Sequence, residues 1–438
     1  MPEASARLDA GTLSGCALVV AVPALLPFGN LLHVPLALLA ISGCIAFARD
    51  PRRLARDPAL RTLAILFAAL WLPMLLALPD AVNPQRSRAT ALPYLLFLPA
   101  AAGIVFVLRR PRAAAIVVTG IAIVLGILCA DALIQAATGR NLLGYPWQGG
   151  VLKGMFEPRQ RLGLVLAALA PFAFAAVRRL PPGWRTAAVA VALVALGTVL
   201  ALSLKRSAWI MIALAAGGWC WLLVRSGSTV GRGRLAWGMA VAVLLAVVLV
   251  AQSPALRGRL AWTAGLASGE FAAMDRASSY RLSLWRTGAR MFQAHWLNGI
   301  GPRGYRYVYR QYAPPDDFWL ATFGRGQTHP HLMALEIGVE TGTLGLAGAA
   351  VFWVILLRRL RAIGPGTLAG AAGLLAVAVA WFPFNAHMAF YSAWWTAVGW
   401  WALAIGVGAT EGEPVADRRA GAEPGSARSM TRLSGRPH

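Results

Sequence analysis

The sequence has little charge, few cysteines and no nucleotide-binding motif. Only 13% of its 438 residues are charged while 58% are hydrophobic, which excludes an ordinary water-soluble domain. Its four cysteines lie in apolar segments without paired or metal-like spacing, so we predict no disulfides. The chain also lacks a Gly-rich nucleotide loop and an acidic metal cluster, and we therefore expect neither a cofactor nor a metal.

Long apolar runs dominate the sequence, and each is long enough to cross a bilayer as a helix. We predict an all-α integral membrane protein with about twelve transmembrane helices, at residues 12–29, 31–48, 62–79, 89–108, 113–137, 162–177, 186–204, 208–224, 235–251, 341–357, 367–384 and 388–409. The first run follows a short, weakly charged N-terminus and a second run begins almost at once. We therefore interpret it as a retained span and not as a cleavable signal peptide.

Positive charge is unevenly distributed between the two sides of these spans. If the N-terminus is cytoplasmic, 23 arginines lie in the cytoplasmic segments. The external segments, without the long loop 252–340, contain only eight lysines or arginines. The positive-inside rule then places both termini in the cytoplasm. The net charge of +24 follows from this topology and from the Arg-rich long loop, so we expect no nucleic-acid partner.

The spans divide the chain into four predicted regions. Residues 1–251 hold spans 1 to 9, residues 252–340 form a large periplasmic helical loop, residues 341–409 hold spans 10 to 12, and residues 410–438 form a disordered cytoplasmic tail. A loop as long as 252–340 is usually functional or folded in its own right. We expect it to carry the active site.

The loop contains one clear amphipathic pattern, from Tyr280 to Phe292. Its helical period predicts one apolar face and a separate basic face; the apolar face would hold Leu282, Trp285, Ala289 and Phe292. We expect this helix to lie on the membrane surface.

Basic side chains at the external boundary are candidates for substrate binding. Arg206 and Arg281 lie where a guanidinium is costly unless it meets an anion, which suggests a phosphate-bearing lipid. For any single arginine, snorkelling to the headgroups of membrane lipids is the more usual explanation, so the hypothesis depends on several basic residues that converge. Further candidates on this side are Lys205, Arg286, Arg159, Arg161 and His329.

His331 is the candidate general base. It ends the sequence Thr328-His329-Pro330-His331, and the residues after it predict a helix that begins near Pro330. A histidine in the first turn of that helix would stay neutral beside the positive end of the helix dipole and could take a proton from a sugar hydroxyl. The alternative is a structural histidine that is hydrogen-bonded at a helix start.

The acidic residues indicate a function less clearly than the basic residues and His331 do. Glu336 and Glu340 are four residues apart, and the default interpretation is the surface of a helix. Asp131 either neutralises an external arginine or faces the interior of the helix bundle. Asp316 and Asp317 follow two prolines and look like a solvated turn, so a divalent-metal site is a weak alternative.

Several of these segments together resemble the shared signature of O-antigen ligases and polymerases. The resemblance lies in Lys205 to Trp209, Arg281 to Trp285, Asn298 to Gly301 and Thr328 to His331, followed by Glu340-Thr341-Gly342-Thr343-Leu344-Gly345. His331, Gly342 and Gly345 have the spacing of the ligase histidine motif. Leu332 departs from it, because the family usually has Asn, Ser or Gln there.

The resemblance implies a GT-C-like membrane fold and a function. An O-antigen ligase transfers polysaccharide from undecaprenyl pyrophosphate to a sugar hydroxyl of lipid A-core, on the periplasmic side of the bacterial inner membrane. In that picture His331 activates the acceptor hydroxyl while Arg206 and Arg281 hold the pyrophosphate. The transfer inverts the anomeric carbon and needs no metal.

Three alternatives share part of this pattern. O-antigen polymerases use the same lipid donor, and protein O-oligosaccharyltransferases carry the same loop signature. A lipid-linked glycan flippase or transporter would also have many spans and a basic cavity, but it would place charge near the bilayer midplane. The arginines cluster at the span boundaries instead, which favours an enzyme, and the histidine motif favours a ligase.

Overall fold

The computed structural model describes residues 9–110, 112–225, 254–364 and 367–411, and these ranges contain helices but no β-strand. The helices of the first part are α1 (Ala10–Ala24), α2 (His33–Arg49), α3 (Arg53–Arg56), α4 (Pro58–Leu76), α5 (Pro84–Ala91), α6 (Phe97–Leu108), α7 (Ala113–Thr138), α8 (Leu162–Arg179), α9 (Pro182–Leu202) and α10 (Arg206–Arg225). Those of the second part are α11 (Pro254–Ala264), α12 (Phe271–Ala277), α13 (Arg281–Ala294), α14 (Tyr305–Tyr312), α15 (Phe318–Phe323), α16 (Met333–Ala362), α17 (Leu368–Ala380) and α18 (Ala393–Glu411).

The fold is that of an all-α integral membrane protein, as the hydropathy pattern predicts. Within the described ranges, eight helical stretches are long and apolar enough to cross a membrane, and α1 and α17 are shorter apolar helices. The predicted span at 235–251 and the predicted tail beyond residue 411 lie outside the described residues. The span predicted at 341–357 is the second half of the longer helix α16, so the predicted loop boundary at 340 falls inside a helix.

Close helix packing in the bundle depends on small residues. Helix α17 packs along α18, and α2 packs along α6. A Cβ on Gly103 of α6 would overlap the carbonyl oxygen of Leu39 on α2, and one on Gly373 of α17 would overlap the backbone of α18 at Gly406. Such contacts let apolar helices associate in lipid by backbone approach and van der Waals packing.

Buried tryptophans of α18 are anchored by hydrogen bonds. The indole nitrogens of Trp395, Trp400 and Trp401 donate to the carbonyl of Ala380 at 3.0 Å, to the hydroxyl of Tyr94 at 2.9 Å and to the carbonyl of Val19 at 2.9 Å. A buried indole usually finds such a partner. These bonds fix α18 against α1, α17 and the segment that leads into α6.

The segment between α10 and α16 packs on the bundle through a second apolar cluster. Its buried members are Leu284, Met291, Ile300, Tyr305, Val308, Tyr309 and Val339. The predicted apolar face of α13 is confirmed only in part: Trp285 and Phe292 pack against this cluster, but Leu284 and Met291 are the fully buried residues and Ala289 is exposed. The difference arises because α13 packs against α16, and contact with protein decides which face is buried.

Asp131 and Asp317 both stabilise backbone turns. Asp131 is fully buried in α7 and accepts hydrogen bonds from the side chain of Asn141 and the backbone of Leu142, so of the two interpretations the interior one is confirmed. Asp317 caps α15 and accepts a hydrogen bond from the hydroxyl of Tyr309 at 2.8 Å. It is 1% exposed, so its assignment to a solvated turn was wrong, whereas Asp316 is exposed as expected.

All four cysteines lie within helices and are unpaired. Cys16 is buried in α1, Cys44 is exposed on α2, and Cys129 and Cys220 are partly buried on α7 and α10.

Candidate active site

His331 lies just before α16 and not inside it. The helix begins at Met333 with Leu332 as its N-cap residue, so the predicted start near Pro330 is wrong by three residues. His331 has a φ of +52°, in the left-handed region that non-glycine residues rarely occupy. Strained residues of this kind are concentrated at functional sites.

Three histidines meet at this point. The ring of His331 lies 4.0 Å from that of His329 and 6.2 Å from that of His387, which precedes α18. His329 is buried and held on both sides, by the Thr328 hydroxyl at 3.0 Å and the carbonyl of His387 at 3.2 Å. Nδ1 of His331, in contrast, is buried and has no hydrogen-bond partner among the described residues.

Burial and nearby cations keep two of these histidines neutral. Burial, then Arg281 and Lys205, lower the pKa of His331 to about 4, although neighbouring backbone carbonyls act in the opposite direction. Burial, then Lys205, His331, Arg281 and Arg161, lower the pKa of His387 to about 3. Desolvation and adjacent positive charge both disfavour an imidazolium, so the expected helix dipole is not needed. Lys205, Arg281 and Arg161 therefore approach the histidines from three separate segments.

The cations at residues 159–161 and 205 come from the ends of α8, α9 and α10. Lys205 donates to the side-chain carbonyl of Gln160. The Arg161 guanidinium stacks 4.2 Å from the ring centre of Trp394, and burial, then Arg159, lower the pKa of Arg161 to about 10. Arg159 is exposed, and its guanidinium lies over Gly29.

Arg206 supports the turn that presents Arg281. Its guanidinium donates to the Thr263 hydroxyl at 3.1 Å, to the carbonyl of Ala277 at 2.7 Å and to the Ser279 hydroxyl at 2.9 Å. Arg281 follows as the first residue of α13. The described contacts of Arg206 thus connect the start of α10 to the segment before Arg281.

The turn before Arg281 is fixed from its other side by Asp275. This carboxylate is buried and accepts hydrogen bonds from the backbone and the hydroxyl of Ser283. Arg286, by comparison, is exposed and lines a separate cleft that also contains Asp275 and Asp316. The structure therefore assigns Arg281 and Arg286 to different surfaces of the same helix.

Two glutamates form a buried polar layer beneath the histidines. Glu336 and Glu340 are 0% exposed, so their expected place on a helix surface is wrong. Glu336 accepts hydrogen bonds from the backbone amides of Phe390 at 2.9 Å and Tyr391 at 3.4 Å. Buried carboxylates need such partners, because an unpaired buried charge is very unfavourable. Glu336 thereby fixes the loop that carries His387.

Arg303 connects the same layer to the turn after α13. Its guanidinium Nη1 lies 4.0 Å from Glu336, and its backbone amide donates to Glu340. The Arg303 side chain is 12% exposed. Residues 298–303 are thus joined to α16 by both the guanidinium and the backbone amide of Arg303.

Gly342 makes the docking of this turn possible. It has a φ of +65° and a ψ of −162°, which interrupts α16. Because the helix is interrupted, backbone groups of α16 are available to form hydrogen bonds with residues 296–301. The amides of Ile300 and Gly301 donate to the carbonyls of Val339 and Glu340, at 3.0 Å each. In the other direction, the amides of Thr343 and Leu344 donate to the carbonyls of Trp296 and Leu297, at 2.7 and 3.2 Å. A Cβ on Gly342 would overlap Leu297. The positive φ and the close approach of Leu297 therefore explain why the histidine motif has glycine at position 342.

His387, Asp275 and Arg303 are site residues that the sequence reasoning missed. The signal for His387 was present, because Asn385-Ala386-His387 occupies the short gap between two predicted spans, on the same predicted side as His331. Asp275 and Arg303 had no comparable signal, since their roles depend on partners that are distant in the sequence or on local turns.

Comparison with known proteins gives one positive finding. A family model described as O-antigen ligase matches residues 190–350. This range contains Lys205, Arg206, Arg281, His331 and Gly342 and ends within α16. No curated protein matches the chain.

Proposed function

We propose that this chain, whose residues 190–350 match the family model described as O-antigen ligase, transfers polysaccharide from undecaprenyl pyrophosphate to a sugar hydroxyl of lipid A-core. One observation supports this most directly: His331 is neutral, its Nδ1 has no partner within the described part of the chain, and Arg281 and Lys205 lie close enough to depress its pKa. A base beside cations suits an acceptor hydroxyl and an anionic leaving group.

The proposed reaction is a single displacement. His331 takes the proton of the acceptor hydroxyl as its oxygen attacks the anomeric carbon from the side opposite the diphosphate. The bond between that carbon and the phosphate oxygen breaks, and its electron pair leaves with the undecaprenyl diphosphate. The anomeric configuration inverts, and Arg281 and Lys205 stabilise the developing charge without a metal ion or a nucleotide.

Donor binding also strengthens the base. In the free protein, Arg281 and Lys205 lower the pKa of His331. A diphosphate bound to these cations brings negative charge that offsets their effect, so the pKa of His331 rises towards its ordinary value. The imidazole therefore accepts a proton most readily when the leaving group is already in place.

The proposed location is the bacterial inner membrane, with both termini in the cytoplasm and the site on the periplasmic side. The excess of arginines on the opposite side of the predicted spans supports this orientation. The donor is a lipid, and the site adjoins the ends of apolar helices α8, α10 and α16. A polyprenyl chain can remain in the bilayer while its diphosphate reaches Arg281.

The test is a reconstituted transfer assay with full-length protein, synthetic polyprenyl-diphosphate glycan and either lipid A-core or a second repeat unit as the acceptor. His331→Ala is expected to lower kcat by roughly 10²- to 10⁴-fold, as loss of a general base does. Arg281→Ala is expected to lower it by about 10²- to 10³-fold. Arg310→Ala removes an exposed arginine of α14 and serves as the matched control.

Three outcomes would contradict the proposal. Transfer to the second repeat unit but not to lipid A-core would identify a polymerase. Wild-type kcat in the His331→Ala protein would exclude His331 as the base. Loss of transfer on addition of EDTA would refute the metal-independent mechanism.

A further inference from the structure

A second polar cleft lies next to the histidine site, between the end of α7 and the start of α8. Its volume is about 390 Å³, which is within the roughly 300–1,000 Å³ of ordinary ligand sites. Its lining contains Gln135, Gln148, Gln160 and Trp147. Side-chain amides beside an aromatic ring suit a neutral ligand that has many hydroxyl groups.

The charges in this cleft are already balanced. Lys153 and Glu157 both line it and form an ion pair at 2.8 Å. The lysine of the described lining is therefore already paired with a carboxylate. The chemistry of the cleft favours sugar hydroxyls over an anionic group.

The cleft is held in shape by hydrogen bonds from Gln135. This buried side chain donates to the carbonyl of Tyr145 at 3.2 Å and accepts from the backbone amide of Gly154 at 2.8 Å. The backbone amide of Trp147 donates to the carbonyl of Gly139 at 2.8 Å. A preformed cleft loses less conformational entropy when it binds a ligand.

Trp147 gives the cleft an aromatic wall. Part of its indole packs against the apolar core while the residue lines the cleft. Its Nε1 is buried and lacks a hydrogen-bond partner in the described structure. Because Nε1 is buried, the contact that the indole offers to a pyranose is its apolar face, which suits the C–H groups of the sugar.

Lys205 connects the cleft to the reacting groups. Its ammonium group donates to Gln160 in the cleft lining, and the same charge acts on His331 and His387. The Lys205 side chain therefore contacts the cleft through Gln160, and its positive charge also acts on the two histidines. A sugar chain in the cleft would lie beside the site of transfer.

We propose that this cleft is a saccharide-binding subsite that holds pyranose units of a glycan substrate next to the reacting hydroxyl, with Trp147 as its stacking platform. The inference rests on the proposed function for its biological meaning, but the binding itself does not require transfer. Pyranose units come from both the donor glycan and the acceptor core, and the experiment separates these sources.

The first arm measures transfer by full-length protein in vesicles. Trp147→Ala is expected to raise KM about tenfold, or 1.4 kcal/mol, for one of the two glycans, with a smaller effect on kcat. The substrate whose KM rises identifies the source of the bound sugar. Trp147→Phe keeps an aromatic ring with a smaller face and is expected to have an intermediate KM. Trp296→Ala removes a tryptophan that is 58% exposed and is the matched control.

The second arm measures binding without chemistry. Saturation-transfer NMR is recorded for lipid-free core oligosaccharide and for a lipid-free repeat unit, with His331→Ala protein and with the double variant that also carries Trp147→Ala. A saccharide signal that depends on Trp147 supports the subsite, even if the wild-type protein transfers nothing and the proposed function fails. Unchanged signals and unchanged KM values in Trp147→Ala, relative to Trp296→Ala, overturn the subsite while leaving the proposed transfer intact.

Discussion

Replacement of Gly342 by alanine is expected to release the 296–301 turn from α16. The glycine backbone, at φ +65° and ψ −162°, occupies a region that is essentially restricted to glycine, and another residue there costs about 1–3 kcal/mol. The new Cβ would also overlap the carbonyl of Leu297. Both penalties apply for as long as the turn stays docked.

The variant can avoid both penalties if the turn undocks, and the hydrogen bonds in the structure determine the free-energy cost of undocking. Four backbone hydrogen bonds join residues 296–301 to the interrupted helix, and each contributes about 1 kcal/mol net. Undocking therefore costs about 4 kcal/mol, which is comparable to the strain and overlap together. We expect Gly342→Ala to reduce the free energy of unfolding by about 3–4 kcal/mol, a large part of the 5–15 kcal/mol typical of proteins.

Hydrogen exchange and thermal unfolding of the purified protein test this expectation. The amides of Ile300 and Gly301 should lose protection in Gly342→Ala, because they donate to carbonyls that the interruption of α16 exposes. Gly338→Ala is the matched control: it lies in the same helix, and its Cβ would meet only ordinary contacts at 3.4–3.5 Å. Alanine there should be neutral or slightly stabilising. Native protection of Ile300 and Gly301 in Gly342→Ala would refute the reasoning.

Two further predictions concern the charges around the histidines. Since only neutral imidazole accepts a proton, kcat/KM should fall as the pH drops through the His331 pKa of about 4. Lys205→Met removes a cation that lowers this pKa, so the acid limb of the pH profile should move to higher pH; an unmoved limb would separate Lys205 from His331. Glu336→Ala should destabilise the protein by about 3–5 kcal/mol, because it leaves the buried amides of Phe390 and Tyr391 without their acceptor and removes the carboxylate that lies 4.0 Å from Arg303. Glu336→Gln keeps a carbonyl oxygen and should unfold at a higher temperature than Glu336→Ala, and equal melting temperatures would contradict this role.

The order of helices could be predicted from the sequence because hydropathy is a local property. A run of about 20 apolar residues forms a helix in lipid whatever surrounds it, since its backbone groups have no other partners there. The spans predicted at 113–137 and 162–177 thus correspond closely to α7 and α8. The face of α13 could not be predicted in this way, because the segment is amphipathic and packs against protein.

The histidine and the arginines of the candidate site were found in the sequence because rare polar residues stand out at the edges of apolar spans. The sequence by itself therefore determined a multi-span helical membrane protein with a cationic segment before α16. Only the tertiary structure placed His387 beside His331 and buried Glu336 beneath them. Two carboxylates four residues apart look the same on an exposed and on a buried helix face, since burial is decided by segments far along the chain.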